Sequence, residues 1–80
     1  MSTPTKIAAI GSMTAAIKAQ RALAAADLDA HIVSLSPGDS RKGCAYGIEF
    51  QAELEGAVRH VLRKERISVT EFLQKGGTPL

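Results

Sequence analysis

The sequence has no tryptophan, one cysteine, three prolines and only three aromatic rings, Tyr46, Phe50 and Phe72. A lone cysteine cannot form a disulfide within the chain, so the stapled scaffolds of small secreted domains are excluded. Three rings leave no series of stacking platforms for single-stranded nucleic acid. The net charge of +2 arises from ten basic and eight acidic residues spread along the chain rather than from a basic patch. Nucleic acid is therefore not an expected partner. No run approaches the ~18 apolar residues that a membrane crossing needs, so no membrane role is expected. The opening Met1-Ser2-Thr3-Pro4-Thr5-Lys6 leads into an apolar run that ends at Gly11, too brief for a signal-peptide core and its cleavage site. These absences predict a cytoplasmic protein with a reduced thiol.

Metal-ligand spacing is missing as well. Cys44, His31 and His60 are joined by no C-x-x-C or H-x-x-x-H pattern, so neither an intrachain metal site nor a cofactor is expected. A metal shared between subunits stays open. A Cys-His catalytic pair is not favoured, because His31 begins a strand at the sheet end away from the cysteine and His60 falls on the charged side of a helix.

What is present, 80 residues with 45% apolar and 22% charged content, describes one small domain over residues 1–80. The expected ordered part is about 6–73, with flexible tails at 1–5 and 74–80. A domain of this size buries only about 60% of the surface its unfolded chain exposes, which leaves room for pairing with a copy or a partner.

Residues 6–10 read as a strand bounded by Gly11, and Ser12 offers its hydroxyl as the N-cap of the helix that follows. From Met13 to about Ala26 strong helix formers dominate, with Ala16, Ile17, Ala19, Leu23 and Ala26 on one broad face. So many alanines predict close packing against a sheet. Residues 30–35 supply β-branched residues in a run of strand length, and Ser36-Pro37-Gly38 stops it. Residues 45–50 alternate as a third strand, expected to pair with the second as an antiparallel hairpin with a long loop.

Leu54, Ala57, Val58, Val61 and Leu62 follow the spacing of an amphipathic helix, and Glu55, Arg59 and Arg63 form a charged ladder outside it. Residues 67–72 are expected to form the last strand. The order strand, helix, strand, strand, helix, strand predicts an α+β, ferredoxin-like βαββαβ sandwich: a four-stranded antiparallel sheet with two helices on one face. In that topology the first and third strands are central neighbours. The end of strand one, the start of helix one and the start of strand three then share one sheet edge.

This arrangement brings Cys44, the one strong nucleophile, close to Gly11 and Ser12. A helix N-terminus carries roughly half a positive charge and unpaired N–H groups, so an anion gains there. Arg41 and Lys42 add cations and Gly43 lets the backbone turn tightly, a setting that favours thiolate over thiol. Gly11, Ser12, Met13, Arg41, Lys42 and Gly43 form the expected anion-stabilising set around Cys44. Lys18, a turn and a half into the helix, either faces the same cleft or solvates the helix. Tyr46 is a further candidate. Gly11-Ser12 lacks the rest of any phosphate-loop motif and is more simply a helix cap.

At residues 11–19, Gly-Ser-Met-Thr-Ala-Ala-Ile-Lys-Ala, and 43–48, Gly-Cys-Ala-Tyr-Gly-Ile, the chain resembles the selenium/sulfur carrier protein-like family of small, mostly bacterial proteins. The resemblance spans nearly the whole chain, and departs at Ala45, where glycine is usual. It implies a carrier in which Cys44 holds persulfide or selenide, receives it from a donor protein and passes it to an acceptor. Such a carrier needs an accessible, low-pKa thiolate and an anion-stabilising surround, and no hydrolytic or redox centre of its own. The competing class is a protein-interaction or small-ligand-binding module in which the cysteine is incidental.

Overall fold

The computed structural model describes residues 4–35 and 45–74. Strand β1 (Thr5–Ile10) leads through Gly11 and Ser12 into helix α1 (Met13–Ala25). Strands β2 (Ala30–Ser34) and β3 (Tyr46–Gln51) follow, then a short 3-10 turn at Ala52–Leu54, helix α2 (Glu55–Lys64) and strand β4 (Glu71–Gln74). The strands form one antiparallel sheet in the order β2-β3-β1-β4. β1 and β3 are the central pair, as the sequence predicts, and the fold is α+β with a ferredoxin-like arrangement. β1 and β4 each extend one residue past the expected ordered limits.

Alternation along the strands sets the layers. Ala8 and Ile10 of β1 and Ile48 and Phe50 of β3 join Ala16, Ala19 and Leu23 of α1 and Val58 and Leu62 of α2 in one buried core. Both helices thus cover the same face. The alanines hold α1 close to the sheet, as their number predicts. Ile17, read as part of the same stripe, is 39% exposed, and Ala26 and Ala57 are exposed as well. An alanine-rich helix buries a narrower stripe than its composition suggests, because small side chains define its orientation weakly.

The second face is also dry in part. Ile7 is 7% exposed, and Ala9 and Leu73 are fully buried. At Gly47 the backbones approach closely: a Cβ there would lie 2.6 Å from Ile7 Cγ2 and 3.1 Å from the Ala8 carbonyl oxygen. Only glycine fits without displacing its neighbours.

The largest departure from the sequence reading follows α2. Residues 67–70 were expected in the last strand, which begins instead at Glu71. Arg66 adopts a left-handed backbone with φ 59°, and the Ile67 N–H donates back to the Leu62 carbonyl at 2.9 Å, closing the helix as a C-terminal cap does. Ile67, 9% exposed, then plugs the core. The Thr70 N–H and hydroxyl both donate to the Ala9 carbonyl, at 3.0 and 3.2 Å. The β-branched residues here are used for plugging and docking before the ladder begins. Among the described residues no helix is long and apolar enough to cross a membrane.

Candidate functional site at the start of the first helix

The turn between β1 and α1 is built as its residues dictate. Ser12 has extended backbone (φ −145°, ψ 154°), its hydroxyl accepts the Ala15 N–H at 3.1 Å and its carbonyl accepts the Ala16 N–H at 3.0 Å. It is the N-cap of α1. No acidic residue stands in the first turn of this helix, so the positive end of its dipole is uncompensated by side-chain charge. Gly11, Ser12 and Met13 are all exposed, Met13 by 40%.

The sheet register connects this turn to the start of β3. Ile10 pairs with Tyr46 across β1 and β3, and Ser34 pairs with Tyr46 across β2 and β3. One step further, the Leu35 N–H donates to the Ala45 carbonyl at 2.7 Å. Ala45, to which Cys44 is bonded, therefore lies past the Ile10–Tyr46 pair, on the edge where β1 runs into Gly11 and α1. Tyr46 is half-buried and packs against the core. Arg41, Lys42, Gly43 and Cys44 lie outside the described residues.

Beside the α1 N-terminus is an open cleft of about 490 Å³. Its floor is apolar, formed by buried Ile10 and Ile67. Lys18 lines it while remaining exposed. Arg66, in the turn after α2, lines it too. The hydroxyl-bearing Ser12, Thr14 and Ser68 complete the polar wall. Arg66 and Ser68 escaped the sequence reading because they follow α2, about fifty residues from Gly11; the one signal was a cation just past a helix end. Among the described residues neither Lys18 nor Arg66 forms an ion pair.

The other charged cluster is satisfied internally. Glu55, in the first turn of α2, bonds Lys6 of β1 and pairs with Arg59 at 2.6 Å. The Lys6 ammonium, together with the Arg59 guanidinium, holds the Glu55 carboxyl below its ordinary range against the opposing effect of partial burial. Arg59 also stacks 4.0 Å from the Phe72 ring centre. His31 lies level with Glu49 and Ile7, away from the α1 N-terminus, and His60 is exposed on α2. Among the described residues no group of three or more His, Cys, Asp or Glu side chains is placed to hold a metal ion.

Fold and site together define a small α+β domain with a capped helix start, a neighbouring cationic cleft and a third strand beginning at the same sheet edge. Residues 2–74 match the family model described as "putative Se/S carrier protein-like". The chain belongs to this family. No curated protein and no solved structure matches it at a significant level.

Proposed function

We propose that the protein carries sulfur or selenium on Cys44 and relays it between a donor and an acceptor protein. Family membership supports a carrier role in general. The observation that supports Cys44 as the carrying residue is the register, which sets Ala45 at the sheet edge shared with Gly11 and the N-terminus of α1. An anion held near that edge meets an uncompensated helix dipole.

In the relay, the Cys44 thiolate attacks the outer sulfur of a donor persulfide. A sulfur–sulfur bond forms to Cys44 as the donor's own breaks, and the donor leaves as a thiolate. The persulfide on Cys44 then ionises, its proton passing to the departing thiolate or to solvent. Gly11, Ser12 and Met13 stabilise the anion through the helix start, with Arg41 and Lys42 as neighbouring cations in sequence. Delivery to the acceptor repeats the exchange with Cys44 as leaving group, and selenium follows the same path in place of the outer sulfur. No general base is needed where the thiol is already ionised.

Incubation with a cysteine desulfurase and cysteine tests this reading. The expected product is one added sulfur atom, located on Cys44 by peptide mass spectrometry, removed by reductant and absent from Cys44→Ser. A wild-type protein that gains neither sulfur from a persulfide donor nor selenium from a selenopersulfide (R–S–SeH) donor overturns it.

A further inference from the structure

We propose that the open cleft lined by Lys18 and Arg66 binds the phosphate-type oxyanion group of a small organic ligand. The proposal rests on the convergence of two cations from separate elements, Lys18 from α1 and Arg66 from the turn after α2, on one cavity. Among the described residues neither is neutralised by an ion pair, and none of those lining the cleft carries a carboxylate. Where α2 begins, by contrast, Lys6 and Arg59 share Glu55.

Chemistry and volume narrow the occupant. A guanidinium and an ammonium together suit a doubly charged tetrahedral oxyanion, the first by forked hydrogen bonds and the second as a point charge. The Ser12 and Ser68 hydroxyls supply further polar contacts at the same wall. A volume of about 490 Å³ exceeds what an inorganic ion fills and lies in the range of small-molecule sites. Ala15 and Ile67 supply apolar lining for the ligand's organic part. The inference does not depend on the thiol reading, since no step of it uses Cys44.

The test is an NMR titration of the isotope-labelled full chain with inorganic phosphate and with phenyl phosphate at constant ionic strength, using chloride as control. Saturable shifts at the amides of Gly11, Ser12, Thr14, Lys18, Arg66 and Ser68 are expected, with phenyl phosphate binding more tightly than phosphate alone. Lys18→Gln and Arg66→Gln should each weaken binding about tenfold. Sulfur loading is read by mass spectrometry of Cys44 and phosphate binding by amide shifts in the unloaded wild-type protein, so a failed sulfur-loading experiment and a failed titration remain separate results. Linear shifts matching those of chloride overturn the proposal in the wild-type protein alone, whatever the variants do. Saturable shifts that both variants leave unchanged overturn the assignment to Lys18 and Arg66.

Discussion

The two ends of the sheet use the same stock of side chains in opposite ways. Where α2 begins, Glu55 gathers Lys6 and Arg59, and Arg59 covers Phe72, whose ring meets Phe50 edge-on with centroids 6.2 Å apart. Charge there is spent on joining α2 to β1 and β4. Where α1 begins, Lys18 and Arg66 stand unpaired among the described residues beside a helix start free of acidic side chains. A paired end stabilises and an unpaired end is available to a ligand.

The contrast holds only if both ends belong to one cooperative unit, which the shared core enforces. Leu23, fully buried between α1 and the sheet, is the place to test it. Leu23→Ala should cost about 2–5 kcal/mol, with probes at both ends losing structure in the same denaturant transition. Separate transitions would mean that the ends are independent.

A smaller effect should fall on the unpaired end. Ser12→Ala removes the hydroxyl that accepts the Ala15 N–H and should cost about 1 kcal/mol. Hydrogen exchange should quicken in the first turn of α1 while α2 stays protected. Equal loosening of both helices would show that the cap does not act locally.

The smallest effect, and the one with a distinct pH signature, belongs to the paired end. The Glu55 carboxyl is held below its ordinary range, first by Lys6 and also by Arg59. Its contribution to stability is therefore complete above the unfolded glutamate value of about 4.3 and is lost as pH falls through the lowered folded value. Glu55→Gln should reduce stability at neutral pH by about 1 kcal/mol or less. It should also remove this acid-side loss from the urea-unfolding profile and leave the phosphate titration unchanged. An unaltered acid limb would place the pH dependence elsewhere.

Much of this architecture was legible because strong local signals agreed with one another. Gly11 ends β1, Ser12 caps α1, and the strand-helix order admits few sheets, so the adjacency of the β1 end and the β3 start followed from topology alone. Cleft wall residues were not legible in the same way. Arg66 enters through a left-handed turn that no periodicity announces, and Ile67 and Val69 have strand-forming side chains but serve the core at the end of α2. Ile17 shows the opposite failure: an apolar residue at helical spacing that the packing leaves outside. In each case a tertiary contact, or its absence, overrode a local preference. The strongest sequence signal, Cys44 with its flanking cations, lies in a stretch outside the described residues, so its address comes from Ala45 next to it.

The left-handed turn at Arg66 has a thermodynamic consequence. Glycine adopts that conformation without the steric penalty of about 1–2 kcal/mol that a side chain incurs, and a helix commonly ends on glycine for that reason. Here the position is occupied by an arginine that faces the cleft. Asp27, which closes α1 with φ 61°, tolerates the same geometry better because its short polar side chain can bond locally. The domain thus carries a fold less stable than its topology permits, at a turn whose arginine lines the cleft: a local trade-off between stability and recognition.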